Sequence, residues 1–150
     1  MDLILWRHAE AEEGGADLER ALTPKGRKQA ERVAQWLLQR LPGKFTVLAS
    51  PAIRAQQTAE ALGIKFRTVK PLAPGAAVKD ILEAAGWPDH KGAVVVVGHQ
   101  PGLGQAVSFL LAGSPADTSI KKGGLWWLSD RVRAEENQVV VRSVVSPDLL

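Results

Sequence analysis

Only three histidines occur in this 150-residue chain, and two of them close short apolar runs. Leu3-Ile4-Leu5-Trp6 runs into Arg7-His8, and Val94-Val95-Val96-Val97-Gly98 runs into His99-Gln100-Pro101. A third run, Phe45–Ala49, leads into Ser50-Pro51-Ala52-Ile53-Arg54. A buried strand gives no reason for arginine or histidine at its exit, so Arg7, His8, Arg54 and His99 are the residues to explain. Arginine presents a planar, permanently charged fork that matches the oxygens of a phosphate. A neutral histidine beside it can attack phosphorus, and nearby guanidiniums push its pKa towards the neutral form. A second histidine, if protonated, would steady charge on the transferring phosphoryl group. Two histidines can also hold zinc, but neighbouring arginines disfavour a cation and no carboxylate has the right spacing. Neither metal nor cofactor is expected.

The elements that must position these side chains follow from hydrophobic pattern. The runs at 3–6, 45–49 and 93–97 are short, continuous and aliphatic, which suits central strands of a parallel sheet covered on both faces. Thr23-Pro24 and Ser50-Pro51 each read as an N-cap followed by proline at the first helical turn. From Pro24 to about Arg40 the residues Ala30, Val33, Ala34, Leu37 and Leu41 share one helical face, and Pro42-Gly43 ends the segment. Further helices are expected over Ala52–Leu62, over Asp80–Ala85 and over Pro101–Leu111. Gly124–Leu128 and Gln138–Val145 read as a late antiparallel strand pair joined by Ala134–Asn137. Alternating strands and helices predict a three-layer α/β/α sandwich with a mostly parallel central sheet. In such a sheet the carboxyl ends of the strands share the edge where ligands bind, so the four residues should converge there. Helices opening at Pro51 and Pro101 would aim backbone N–H groups at the same edge. Two long connections, Ala9–Leu22 and Val69–Ala77, have no periodicity and are of the length that functional loops reach.

Composition sets the limits. The length fits one domain, 1–150, able to bury roughly 70% of its unfolded surface. With 45% hydrophobic and 23% charged residues the chain is an ordinary globular one. No apolar stretch approaches a membrane span, and the first residues lack the basic lead of a signal peptide. The absence of cysteine excludes disulfide and thiolate chemistry and favours a cytoplasmic protein. Nineteen Lys plus Arg against sixteen Asp plus Glu give a net charge of +3, too small to imply nucleic acid and compatible with a phosphorylated substrate.

Four segments carry a family resemblance. Arg7-His8 after the first strand resembles the RHG signature of the histidine phosphatase (phosphoglycerate mutase-like) superfamily. Ser50-Pro51-x-x-Arg54-Ala55-x-Gln57-Thr58-Ala59-Glu60 resembles its second motif, Gly98-His99-Gln100-Pro101 its third, and Leu22-Thr23-x-x-Gly26 its helix-opening motif. Length and the segment Arg20–Gly26 are most similar to the small phosphohistidine phosphatases of the SixA type. The resemblance implies that His8 is a nucleophile carrying a transient phosphohistidine. It further implies that Arg7, Arg54 and His99 form the phosphate pocket, with Arg20 an added phosphate or substrate contact. Ala9 stands where many members have glycine, which requires a negative φ there. Ala21 stands for a common proline. Larger members carry a general acid on an insertion between the second helix and the third-motif strand, whereas here that region is only Lys65–Lys91. The missing lid implies an open site and a leaving group that needs little help, as phosphohistidine on a protein would be. Asp17 or Glu10 on the first loop is a candidate proton donor.

Rival readings are a phosphatase of a small phosphate ester on the same site and a silent phosphate-binding module. Arg20 has two readings, phosphate contact and surface charge. His90 reads as a loop residue, Lys121-Lys122 as a solvated turn, and Trp126-Trp127 as packing rather than a base-stacking platform. A monomer without nucleic-acid or membrane partners is the default expectation.

Overall fold

The computed structural model describes residues 1–150. Six strands form one sheet in the order β3-β2-β4-β1-β5-β6. They are β1 (Asp2–Arg7), β2 (Phe45–Ala49), β3 (Arg67–Thr68), β4 (Ala93–Gly98), β5 (Leu125–Arg133) and β6 (Glu136–Val145). The pairings β3–β2, β2–β4 and β4–β1 are parallel, while β1–β5 and β5–β6 are antiparallel. The helices are α1 (Pro24–Leu38), α2 (Ile53–Glu60), α3 (Val78–Ala85) and α4 (Gly102–Ala112). None is long and apolar enough to cross a membrane.

Side-chain alternation along the central strands divides the core into two layers. Ile4, Trp6, Val47, Ala49, Val95 and Val97 face α1 and α2, meeting Val33, Ala34, Leu37, Ala55 and Ala59. Leu3, Leu5, Leu48, Val94 and Val96 face the other way, onto Ile81 and Ala85 of α3 and Leu103, Ala106 and Val107 of α4. Burial on both faces explains the continuous apolar runs, and it confirms the sandwich.

The differences from expectation have local causes. Ser50 does not cap α2: its hydroxyl accepts from the Ala52 N–H, and the helix opens at Ile53 with Ala52 as N-cap. Thr23 does cap α1, accepting from the Gly26 N–H at 2.9 Å, with Pro24 at the first helical position. Helix α3 begins two residues earlier than expected, where the Asp80 carboxylate takes the Ala77 N–H. The edge strand β3 was not anticipated, being two exposed residues long. The late hairpin is longer than its pattern suggested, because Ala134 and Glu135 take positive φ (53° and 65°) and make a two-residue turn. Such turns are ordinarily signalled by Asn or Gly.

The two long connections are ordered. Residues 9–22 fold back on themselves through an Ala11–Leu22 bridge and a short turn of 3-10 helix at Asp17–Glu19. Gly26 lets the start of α1 lie against this loop, since a Cβ there would run into the Glu10 carbonyl. Residues 69–77 contain a second such turn, Lys70–Leu72, which buries Leu72.

Candidate active site

The register of the parallel pair β1–β4 places Arg7 opposite Gly98, so the next residues, His8 and His99, leave the sheet side by side. Their rings lie 5.1 Å apart, centroid to centroid. Arg54, in the first turn of α2, lies alongside, and its Nε–H points to His8 Nε2 at 3.4 Å. His8, Arg54 and His99 are all buried, at 8%, 3% and 7% exposure. Together with Arg7 and Arg20 they line a cleft of about 240 Å³, whose remaining walls are Ala11, Glu13, Pro74, Gln100 and Lys122. A larger apolar groove of about 600 Å³ runs between α3 and α4 and contains none of these residues.

Hydrogen bonds fix what each group offers. His8 Nδ1–H donates to the Ala9 carbonyl at 2.8 Å, which puts the lone pair on Nε2, where it accepts the Arg54 Nε–H. Ala9, fully buried, has no left-handed backbone and donates its N–H to Thr58 Oγ1, so alanine is accommodated where glycine is common. Arg7 donates from NH1 to the Ile120 carbonyl at 2.7 Å, while its buried Nε has no protein partner. His99 Nδ1 is likewise buried and unpartnered. These two orphaned nitrogens belong to residues that line one cationic cleft, a setting that fits an anion as the missing partner.

Electrostatics sets the charge of the two rings. Burial pushes His8 down to about 4, aided by the charges of Arg54, Arg7 and Arg20 and opposed by the Ala9 bond. Burial likewise takes His99 to about 3, with His8 and Arg54 adding to the effect. Both imidazoles are therefore neutral near pH 7, so the protonated form considered for the second histidine is not the one that burial favours at His99.

Neither candidate proton donor occupies a donor's position. Asp17 accepts from Arg54 NH2 at 3.3 Å and from Arg20 Nε and NH2 at 3.2 and 3.1 Å. These two guanidiniums hold its carboxyl below the ordinary carboxylate range, so it stays ionised. Glu10 lies outside the cleft wall, with Oε2 accepting from the Thr23 hydroxyl at 2.8 Å beside the start of α1. The one carboxylate on the wall is Glu13, which sequence reasoning passed over because nothing in the loop's pattern marks it. Lys122, read as part of a solvated turn, also reaches the rim. Arg20 is both a cleft residue and an ion-paired one, tied to Asp17 and to the Glu12 carbonyl. His90 is an exposed loop residue; Trp127 is core and Trp126 half-buried, as packing requires. No three His, Cys, Asp or Glu side chains converge as metal ligands.

Comparison with known proteins agrees with the motifs. Residues 3–74 match the model of the histidine phosphatase superfamily (branch 1). An uncharacterised protein of Picosynechococcus is 36% identical over 141 residues, covering 83% of this chain and 82% of its own. An uncharacterised protein of Mycobacterium tuberculosis is 33% identical over 121 residues, covering 76% and 75%. Among solved structures, the SixA protein of Nakamurella multipartitia superposes with a TM-score of 0.82 at 27% identity, over 97% of this chain and 95% of that one. The protein histidine phosphatase SixA complexed with tungstate gives the same TM-score at 23% identity, over 99% of both chains. A phosphoserine phosphatase of Entamoeba histolytica shares the fold at 18% identity, with a TM-score of 0.73 over 99% and 98%. The chain belongs to the histidine phosphatase superfamily and, by its architecture, to the SixA-type branch of that superfamily.

Proposed function

We propose that this protein is a metal-independent phosphatase that works through a phosphohistidine on His8 and removes phosphate from phosphohistidine on a protein. The observation that carries the chemistry is the His8 ring. Its Nδ1–H is held by the Ala9 carbonyl and its Nε2 lone pair stands beside Arg54, which supports a nucleophile at Nε2. The substrate's phosphoryl group would seat against Arg7, Arg54, Arg20 and His99. His8 Nε2 then forms a bond to phosphorus while the bond to the leaving nitrogen breaks; the substrate imidazole enters protonated on its other ring nitrogen, so it departs neutral and the ring of phosphorylated His8 carries the positive charge. Water next attacks the phosphorylated His8, its proton passing to Glu13, and phosphate leaves with His8 neutral again. Positioning and fixed charge supply the catalysis.

The size of the cleft supports the substrate class. Sites that enclose a whole small molecule usually measure about 300–1,000 Å³. The cleft, at about 240 Å³, is smaller and lined mainly by polar and charged groups, which supports a reading in which the phosphoryl group enters and its bearer stays outside. That suits a phosphorylated side chain on a macromolecule. The tungstate held by the SixA structure is an oxyanion and supports an anion-binding role for such a cleft.

The test is phosphate release from a phosphohistidine-bearing protein with chelator present, comparing wild type with His8→Ala. Release by wild type alone is expected. Release by His8→Ala would remove the covalent mechanism, loss with chelator would remove metal independence, and faster turnover of free phosphate esters would reassign the substrate.

A further inference from the structure

Ser50 was read from sequence as a helix cap, yet its side chain reaches His99 Nε2 at 2.7 Å. It is fully buried, and both of its backbone groups are already committed. The Ser50 N–H donates to the Val97 carbonyl at 3.0 Å, and the Ser50 carbonyl accepts from Gln56 Nε2. Its hydroxyl oxygen accepts from the Ala52 N–H at 3.1 Å. The hydroxyl has one proton to give, and His99 Nε2 is the acceptor within reach.

We infer that Ser50 is a positioning residue that locks His99 in the tautomer protonated on Nδ1, so that a neutral imidazole offers an N–H to the phosphoryl oxygens. The opposite tautomer would point Nε2–H at Ser50 and leave the hydroxyl proton without an acceptor in a fully buried place. It would also turn the Nδ1 lone pair, which has no partner in the protein, towards an anionic ligand. Both defects vanish with the proton on Nδ1. The two histidines then share one tautomer and do opposite work. His8, held at Nδ1 by a carbonyl, presents a lone pair, whereas His99, held at Nε2 by a hydroxyl, presents a donor. The neutrality of His99 near pH 7 is consistent with this arrangement.

The catalytic part of this inference rests on the proposed phosphatase reading; the tautomer does not. Long-range ¹H–¹⁵N correlation on histidine-labelled protein near pH 7 reads the tautomer directly. Only three histidines need assignment, and His90→Gln and His99→Gln identify the signals. Wild-type His99 is expected to show an unprotonated Nε2 and a protonated Nδ1, with inorganic phosphate moving chiefly the Nδ1 signal. A protonated Nε2 in wild type would overturn the inference. Ser50→Ala should shift His99 towards the Nε2–H form and lower kcat by about 10- to 100-fold, the usual range for a group that orients a catalytic one. Ser50→Thr, which keeps the hydroxyl, should restore both the tautomer and most of kcat. An unchanged tautomer in Ser50→Ala, or kcat within about twofold of wild type, would refute the role. If Ser50→Ala fails to fold, the wild-type spectrum and Ser50→Thr still decide. A wild type that turns over no phosphorylated substrate would sink the phosphatase reading while the same spectrum continued to judge the tautomer.

Discussion

Lowering the pH should destabilise this protein earlier and more steeply than carboxylate titration explains. His8 and His99 hold folded-state pKa values of about 4 and about 3 against an ordinary value of 6.5. Between those limits the unfolded chain binds protons that the folded chain does not, so stability rises with pH across the window. Each histidine's contribution is complete above about pH 6.5 and is lost progressively as pH falls through the unfolded value. From about pH 7.5 to about pH 5 each costs about 2 kcal/mol, and the pair about 4 kcal/mol, a large share of a typical domain's stability. Asp17 lies outside this window, because its lowered pKa matters only at more acid values. The assay is urea unfolding of wild type and His8→Asn at the two pH values, with the slope m confirming that the same surface is exposed. His8→Asn should lose about half of the pH dependence while unfolding at neutral pH with similar cooperativity. A wild-type unfolding free energy that stays within about 0.5 kcal/mol across the window would refute the reasoning, since neither histidine would then be held neutral by burial.

Other outcomes are expected from the same geometry. Arg54→Ala and Arg7→Ala should each lower kcat/KM by about 10²-fold or more, as for loss of one transition-state donor. A loss under about threefold would place that arginine outside the phosphate site. Glu13→Gln should slow the second half-reaction, seen as an initial burst of leaving group with phosphorylated His8 accumulating; a steady state without burst would deny it the role of base. Gly104→Ala should cost about 3 kcal/mol or more in urea unfolding, because the new methyl would be driven into the Thr118 carbonyl. An unchanged midpoint would show that α4 can move aside.

The placement of Arg7, His8, Arg54 and His99 was legible because β1 and β4 are apolar on both faces and stop abruptly at polar residues. Parallel pairing then leaves one edge for all four. What the sequence hid was of a different kind. Ser50 satisfies a turn N–H and a ring nitrogen with one oxygen, and a one-dimensional pattern shows only the nearer partner. Asp17 looked available for proton transfer because the two guanidiniums that hold it come from positions 3 and 37 residues away. The neutrality of His99 depends on burial, and three-dimensional burial is not written in the residues beside it. Strand β3 and the turn at Ala134–Glu135 escaped because two exposed residues and a left-handed alanine carry no pattern of their own.

The hairpin turn has a practical consequence. Strand β5 runs antiparallel to β1, with Ser129 opposite Asp2, so its continuation to Arg133 carries the turn past the amino end of β1. The site lies beyond the other end of the same strand. Ala134 and Glu135 are exposed and already sit in backbone conformations that their side chains disfavour. A fluorophore, an affinity tag or a surface tether can be grafted there without crossing the cleft mouth. A protein immobilised at this turn would present the cleft between His8 and His99 outward to the solution.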